Sequence, residues 1–217
     1  MVGLWPRAWS NWAHAPRVVQ FADVVRARRM TRAFTDAPVD PHLIDDCVDL
    51  ASRAPSAGKS QGWHLLILEG HDVERYWNVA FPVGKRDGFK FPGLFTAPVM
   101  ALSLCDSSAY VSRYSEDDKK STGLGAGVDA WPAAYWTIDA SFATMTFLLA
   151  LEDASLGALF FAHANEADLR VEFSIPDHME FLGAIAIGHR SDVEDQRGRS
   201  ASRARRSSAS IIHRSRW

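Results

Sequence analysis

The segment from about Thr137 to Ser155 constrains the fold more than any other part of this 217-residue chain. Its spacing predicts a helix whose apolar side chains cover most of the circumference, at Ile138, Phe142, Met145, Leu148, Leu149 and Leu151. Such a helix must be nearly buried all round. A chain of this length is expected to fold as one domain, and a helix buried on every side in a domain of this size suggests that a second subunit covers part of it. The segment therefore predicts a helix at a centre that is shared with another subunit.

Four short apolar runs predict the strands of a central sheet, at Trp63–Leu68, Val99–Cys105, Ala158–Phe161 and Phe181–Ile187. Helical patterns lie before and between them. One runs from about Val18 to Arg29. A second begins at Pro41 behind the N-cap Asp40, and Asn165 is expected to cap a third, shorter helix. This interleaving indicates an α/β or α+β class.

Charge is distributed unevenly along the chain. The whole sequence has a net charge of −2, which gives no general reason to expect nucleic-acid binding. Residues 190–217 carry eight arginines against three acids, a balance of +5 that leaves −7 for the preceding body. A basic tail of this kind can bind RNA or lipid headgroups, or it can fold back onto an anion that the protein holds.

The cysteines and the start of the chain indicate the cellular compartment in which the protein is expected. Cys47 and Cys105 have no CxxC partner, so neither a disulfide framework nor a thiolate metal site is expected. No apolar run approaches the roughly 18 residues of a membrane helix. Residues 1–17, an N-terminal extension rich in tryptophan, make a poor signal peptide. We therefore expect a cytoplasmic protein that does not enter a membrane.

Two segments carry the candidate chemistry. Arg28, Arg29 and Arg32 place three guanidinium groups within five residues, and Ala54–Trp63 is a loop of small and hydrogen-bonding residues that leads into a strand. Clustered arginines bind phosphate by forked hydrogen bonds. A loop of Pro, Ser, Gly and amide residues lets the backbone approach a flat ligand. Together they predict a site for a phosphorylated, ring-containing cofactor, although arginines at a helix end are by themselves more often only solvated charges.

Other catalytic patterns are missing from the sequence. The histidines show no HxxxH or HExxH spacing, so no metal site is predicted. No GxSxG elbow supports a hydrolase triad. The glycine-rich run Gly123–Gly127 follows no predicted strand and opens no helix, whereas a dinucleotide-binding loop needs both.

The order of these motifs resembles the FMN-dependent nitroreductase family over about Phe21 to Arg190. The resemblance rests on four features, namely the Arg-rich turn that ends in Phe34, the Ala54-Pro55-Ser56 loop with Ser60-Gln61 and Trp63, Leu156-Gly157 after the long helix, and the closing Gly188-His189-Arg190-Ser191. The Gly62-Trp63 junction and the segment Trp131–Trp136 are similar to a branch seen mainly in actinobacteria.

The resemblance implies a homodimer with FMN at two symmetric sites between the subunits. The implied fold is an α+β three-layer sandwich with helices on both faces of a mostly antiparallel central sheet. Residues 18–190 would form the FMN-binding domain, and residues 191–217 would form a basic C-terminal arm that crosses to the partner and adds a strand.

The resemblance also implies roles for the Arg-rich turn. Arg28 and Arg29 would contact the phosphate and ribityl region of FMN. Arg32 would lie at the N1/C2 edge of the flavin, where its positive charge would stabilise the anionic reduced ring, so Arg32 is the implied catalytic residue. Met30 stands where many members have Ser, which removes one neutral hydrogen-bond partner.

Three other segments supply the remaining implied contacts. Four residues of the loop would line the ring from the partner side or the pyrimidine edge, namely Pro55, Ser56, Lys59 and Gln61. The backbone of Ala162, His163 and Ala164 would approach flavin N5, and Arg203 with Arg205 (or Arg206) would close on the phosphate. Lys59 stands where many members have Asn, and Gly62 replaces a common Pro.

The implied activity is a two-electron reduction of a nitroaromatic or quinone-like small molecule by a ping-pong mechanism, with NADH or NADPH as the reductant. Two alternatives stay open. The protein could sequester FMN with little turnover, which the unusual Met30 and Lys59 favour. The Arg-rich tail could instead bind nucleic acid, which salt-sensitive RNA binding without flavin absorbance would indicate, but we expect no nucleic-acid partner.

Overall fold

The computed structural model describes residues 20–191 and 198–217, so the N-terminal extension, the predicted helix start at Val18 and part of the arm lie outside the described residues. Four antiparallel strands form one sheet in the order β1-β2-β4-β3. Their bounds are β1 Trp63–Glu69, β2 Val99–Asp106, β3 Gly157–Phe161 and β4 Met179–Gly188. The four strands predicted from the sequence are confirmed, each to within two residues.

Six α-helices accompany the sheet in the described part of the chain. They are α1 Phe21–Ala27, α2 Pro41–Ala51, α3 His71–Ala80, α4 Ser107–Tyr114, α5 Tyr135–Asp153 and α6 Glu166–Glu172. The short turns between these elements are 3-10 helical.

Helices cover both faces of the sheet. Along β2, Met100, Leu102 and Leu104 point into the core that α3 and α6 line, whereas Val99 and Ala101 point into the core that α2 and α5 line. This alternation is the period of two that a strand imposes on its side chains. Because both faces are buried, the strand reads as a continuous apolar run. The α+β class and the three-layer arrangement are therefore confirmed.

The sequence predicted N-terminal caps for two helices, α2 and α6. The Asp40 carboxylate accepts a hydrogen bond from the backbone N–H of His42 at 3.0 Å, which confirms the predicted cap of α2. Asn165 is the N-cap residue of α6 as predicted, but its side chain makes no capping hydrogen bond. Asn165 has a left-handed backbone (φ 54°), and its side-chain amide donates instead to the carbonyl of Val79 at 2.7 Å, tying α6 to α3.

The first helix ends earlier than its apolar pattern predicts. α1 stops at Ala27, and Arg28 already has an extended backbone (φ −54°, ψ 123°), so Arg28 and Arg29 lie beyond the helix rather than within it. The reason is tertiary. Met30 pairs with Ala158 of β3 in an isolated parallel bridge, and this pairing needs an extended chain.

α3 and α4 were not predicted from the sequence. α3 buries Val73, Tyr76, Trp77 and Ala80, which have helical spacing within an otherwise polar segment. α4 begins at an N-cap, Asp106, whose carboxylate accepts from the backbone N–H of Ser108 at 2.8 Å. The amphipathic spacing of α3 was thus present in the sequence, whereas α4 buries only Tyr110 and has a weaker pattern.

The long helix α5 is buried on most of its surface but not all round. Phe147 and Leu151 are fully buried, whereas Ile138, Phe142 and Met145 keep 40%, 49% and 41% of their surface exposed within one chain. We call Ile138, Phe142 and Met145 the α5 stripe. The predicted burial all round is therefore not reached by one chain alone, and the prediction that another subunit covers the rest stays open.

Residues 198–217 form an exposed tail that contains two short turns, Arg199–Ser202 and Ser208–Ser210. Ile211 and Ile212 remain about half exposed, and Trp217 stacks on His213 within the tail. The predicted docking of this arm on a partner thus stays a prediction. Among the described helices, none is both long and apolar enough to cross a bilayer.

Candidate functional site

The Arg-rich turn is attached to the edge of the sheet. The backbone N–H of Thr31 donates to the carbonyl of Ala158 in β3 at 2.9 Å, beside the Met30 bridge. Thr31 is fully buried, whereas Arg28 is half-buried and Arg29 is exposed. The turn therefore presents cationic side chains to solvent from a fixed backbone.

A buried ion pair holds this turn from behind. The Arg190 guanidinium donates to the Glu152 carboxylate at the end of α5, to the Leu156 carbonyl at 3.1 Å and to the Thr31 hydroxyl at 3.3 Å. Gly157 completes the contact, because a Cβ there would lie 2.8 Å from Arg190 Cγ and 2.9 Å from Thr31 Oγ1. Only glycine leaves room for this approach.

Arg32 is oriented by its own turn. Its Nη1 donates to the carbonyl of Met30 at 3.0 Å, and its guanidinium lies 5.3 Å from the centre of the Phe91 ring. The tail also returns to this position, since an ideal Cβ on Gly198 would lie 2.7 Å from Arg32 Nη2. The Arg-rich turn and the start of the C-terminal tail are therefore neighbours.

The loop before β1 has an unusual backbone. Gly58, Lys59 and Gln61 have φ values of 60°, 60° and 56°, in the left-handed region. For residues with a Cβ, this conformation costs roughly 1–2 kcal/mol each. Inside the loop, the Ser56 hydroxyl accepts from the backbone N–H of Gln61 at 3.1 Å. Strain of this kind persists where the surroundings determine the backbone, and such places are often functional sites.

Contacts from α4 and α5 determine this backbone. The Asp139 carboxylate of α5 accepts from the backbone N–H of Ala57 at 2.8 Å through Oδ2, and the same oxygen accepts from the Tyr110 hydroxyl at 3.0 Å. Arg113 of α4 donates to the Gly58 carbonyl at 2.8 Å and is itself held by Asp118. The loop is thus fixed from two helices that lie far from it in sequence.

Gly62 and Tyr110 close the end of the loop. A Cβ on Gly62 would lie 2.6 Å from the Asp106 carbonyl and 2.8 Å from the Tyr110 ring. Burial, followed by the hydrogen bond to Asp139, raises the pKa of the Tyr110 hydroxyl well above its ordinary value. Tyr110 therefore stays protonated and remains a donor to the carboxylate.

A cavity of about 320 Å³ opens beside this loop. Pro55, Ser56 and Gln61, three of the predicted cofactor-binding residues, line it together with Asp139 and Trp63. Lys59, the fourth, is exposed at the tip of the loop. The structure thus brings three of the four predicted loop residues together at one concave surface, and Lys59 lies outside it.

The predicted N5 segment follows β3 directly. Ala162 and Ala164 are exposed, so the backbone between them is accessible to a ligand. The His163 ring is turned away to Glu166, with Nε2 at 2.8 Å from Oε2, and packs on Phe181. The imidazole is therefore held against the protein by Glu166 and Phe181.

The tail residues predicted to close on the phosphate do not form a site within one chain. Arg203 and Arg205 are exposed, and Arg206 donates to the Ser210 carbonyl inside the tail. Their predicted role stays a prediction. Across residues 20–191 and 198–217, no group of three His, Cys, Asp or Glu side chains is placed to hold a metal ion.

The helix α5 supports both halves of the candidate site. α5 contacts the loop through Asp139 and the Arg-rich turn through Glu152 and Arg190. Asp139 and Glu152 are thirteen residues apart on the helix, or about 20 Å at 1.5 Å per residue. The loop and the Arg-rich turn are therefore supported from different parts of the same helix.

Sequence reasoning missed the residues that support the site, which are Tyr110, Arg113, Asp139, Glu152 and Arg190. One signal was available for Asp139. A single acid in the middle of a helix that is otherwise apolar must be paired when it is buried, because an unpaired buried carboxylate is very costly. Arg190 belongs to the closing motif Gly188-His189-Arg190-Ser191, although no role was predicted for it, and no comparable signal marks the other three.

The model of the nitroreductase family matches residues 25–189 of this chain. A 4-nitrobenzoate reductase of Nocardioides sp. (strain LMS-CY) is 27% identical over 205 residues, covering 80% of this chain and 82% of that protein. A protein of Archaeoglobus fulgidus named as an NADH dehydrogenase/NAD(P)H nitroreductase is 22% identical over 176 residues, covering 79% and 86%. A protein of Exiguobacterium sibiricum 255-15 solved in complex with FMN superposes with a TM-score of 0.68 at 15% identity, covering 90% and 97%.

Proposed function

We propose, from the premise that this chain belongs to the nitroreductase family, that it is an FMN-dependent oxidoreductase in which NADH or NADPH drives the reduction of a nitroaromatic or quinone-like acceptor. The observation that carries the proposal is the pair of half-sites at the two ends of α5. One half-site presents arginines, and the other presents a strained, polar loop beside a cavity.

The described residues fit a flat, anionic cofactor. Arg28 and Arg29 supply positive charge for a phosphate from a backbone that β3 holds in place. The loop residues Ser56 and Gln61 supply hydrogen-bonding groups at the cavity. A ring such as an isoalloxazine is oriented in a concave site by a few placed polar groups of this kind.

A homodimer would complete each site. The residues that support the two half-sites, Asp139 and Glu152, are about 20 Å apart along α5, and a two-fold axis would bring the turn of one protomer to the loop of its partner. The α5 stripe supplies an exposed apolar surface for this contact. The tail, which begins beside Arg32, would then be free to reach across the interface.

Bound FMN would supply the redox chemistry, accepting a hydride from the nicotinamide and passing two electrons to the acceptor in a ping-pong cycle. The chain itself supplies binding, orientation and charge. Arg32, fixed by the Met30 carbonyl and the Phe91 ring, would place a cation at the N1/C2 edge. The exposed backbone at Ala162–Ala164 would offer its polar groups at the N5 side.

The relatives support this assignment of substrate and reductant. The Nocardioides protein is named for reduction of 4-nitrobenzoate, and the Archaeoglobus protein for NAD(P)H. The Exiguobacterium protein, which shares the fold, was solved with FMN. Each of these properties belongs to the relative and comes to this chain as part of the proposal.

The absorbance spectrum of the purified protein, followed by anaerobic titration with NADPH and then NADH, tests the proposal. We expect a flavin spectrum that bleaches rapidly with one of these reductants and returns when a nitroaromatic is added. A flavin spectrum that stays oxidised under excess of both reductants would indicate sequestration of FMN instead. A protein that binds no FMN at all would contradict the proposal.

A further inference from the structure

We infer that Asp139 is a positioning residue that holds the loop 56–61 in its strained conformation and thereby keeps that half of the site ready to bind. The inference deepens the proposed function and rests on it for the identity of the ligand. Asp139 also lines the cavity beside the loop, but the inference concerns the hydrogen bond through which its carboxylate holds the backbone of Ala57.

The loop cannot owe its shape to its own residues alone. Lys59 and Gln61 both carry a Cβ and both have a left-handed backbone, which such residues avoid unless other contacts impose it. The internal hydrogen bonds of the loop, such as Ser56 to Gln61, close the turn but do not attach it to the protein. The attachment must come from outside the loop.

Asp139 provides the most buried of the outside contacts. The residue is 8% exposed, and its Oδ2 accepts from the Ala57 backbone N–H just before the three left-handed residues. A charge-assisted hydrogen bond of this kind is stronger than a neutral one, and its strength increases away from water. Arg113 adds a second contact at the Gly58 carbonyl, but from a more exposed side chain.

Tyr110 holds the carboxylate in this orientation. Its hydroxyl donates to the same oxygen that accepts from Ala57, so the carboxylate cannot turn away without losing both bonds. Asp139 also adjoins Ile138 of the α5 stripe on the helix. The residue that shapes the loop is therefore next to the surface proposed to meet the partner.

Hydrogen exchange, read by mass spectrometry on peptides that cover residues 54–62, tests the inference without any ligand. We compare Asp139→Ala and Asp139→Asn with the wild type. Loss of the buried acceptor should speed exchange across the loop by about tenfold or more. Asp139→Asn keeps a side-chain oxygen that can accept from Ala57, so it should recover part of the protection.

Thr144→Ala is the matched control. Thr144 lies on α5 five residues after Asp139, is buried, and forms hydrogen bonds to the Ala140 carbonyl and the Ser103 hydroxyl rather than to the loop. We expect this variant to affect global stability while leaving exchange at residues 54–62 as in the wild type.

FMN titration by quenching of flavin fluorescence provides the second readout. Asp139→Ala should raise the FMN dissociation constant about tenfold, Asp139→Asn less, and Thr144→Ala not at all.

Unchanged loop exchange in both Asp139 variants would overturn the inference. If Asp139→Ala does not fold, the Asp139→Asn variant alone decides, and wild-type exchange there overturns it too. If the wild type binds no FMN, the proposed function fails, while the exchange experiment still tests the role of Asp139 in the loop.

Discussion

The Arg190 guanidinium and the Glu152 carboxylate form an ion pair that joins the end of α5 to the last strand, and Arg190 extends from it to the Thr31 hydroxyl. Their side chains are 21% and 9% exposed, so water screens the pair only weakly. The pair lies directly behind the Arg-rich turn. The conformation of the proposed phosphate-binding turn therefore depends on two residues that need not touch a ligand.

Removing the Glu152 carboxylate from its pair with Arg190 should lower the stability of the fold. Glu152→Ala leaves the Arg190 charge partly buried without its acceptor, and we expect the free energy of unfolding to fall by about 3 kcal/mol. Urea denaturation measures this change. Asp23→Ala, which removes an exposed pair with Arg26, is the control and should cost less than about 1 kcal/mol. Equal effects in the two variants would show that the Arg190 pair is no more than a surface contact.

Arg32→Ala should weaken FMN binding. The substitution removes a guanidinium that would form charge-assisted hydrogen bonds to the flavin, and this loss corresponds to a rise in the dissociation constant of about ten- to a hundredfold. Fluorescence quenching of FMN measures it. Arg26→Ala removes an exposed arginine of α1 and should leave the affinity unchanged. Normal flavin content and turnover in Arg32→Ala would remove Arg32 from the site.

Phe142→Glu should separate the proposed dimer. Phe142 is at the centre of the α5 stripe and is 49% exposed in one chain, so a charge there would have to be buried against a partner. We expect a monomer by size-exclusion chromatography with light scattering, with loss of FMN binding. Val171→Glu, at an even more exposed apolar residue of α6, is the control and should stay dimeric. A Phe142→Glu protein with the mass of the wild type would place the interface elsewhere.

Stability should fall at alkaline pH partly because of Cys47. Burial, and then the nearby carboxylates Asp46 and Asp153, raises the pKa of the Cys47 thiol from 9.0 to about 12. Below pH 9 the thiol is protonated in both states, so its contribution to stability is fully present. Between pH 9 and 12 the unfolded chain loses this proton while the folded chain keeps it, so the contribution declines as pH rises.

Urea unfolding at a series of pH values from 8 to 10.5 measures this decline. Cys47→Ala should show a shallower decline than the wild type, whatever its stability at pH 8. Other buried groups, such as the Cys105 thiol with its pKa raised to about 12, remain in both proteins and cancel in the comparison. Parallel curves would show that Cys47 does not titrate differently in the two states.

Local signals predicted the fold well where they were strong. Asp40 and Pro41 mark the start of α2 by local effects. The Asp40 side chain bonds to a backbone N–H two residues later, and the proline ring restricts the backbone of the first helical residue. β2 was visible because both faces of the strand are buried. α3 was missed although Val73, Tyr76, Trp77 and Ala80 have the helical spacing of an amphipathic helix, so its signal was present in the sequence.

The site was predictable only in part, because its support comes from distant parts of the chain. Arg28, Arg32 and the loop residues could be proposed from local composition. The bond from Ala57 to Asp139 joins residues 82 positions apart, and the bond from Arg190 to Thr31 joins residues 159 apart. No local pattern encodes such contacts. The end of α1 was misplaced for the same reason, since Met30 pairs with Ala158 across the sheet.

The central claim is that each flavin site combines the Arg-rich turn of one protomer with the loop of its partner. A heterodimer of an Arg32→Ala subunit and a Lys59→Glu subunit, purified through two different affinity tags, tests this claim most directly. By two-fold symmetry, one of its sites carries both defects and the other carries neither. We predict that each variant homodimer binds FMN weakly, whereas the heterodimer binds about one FMN with wild-type affinity. A heterodimer that binds FMN as weakly as both parents would contradict the claim.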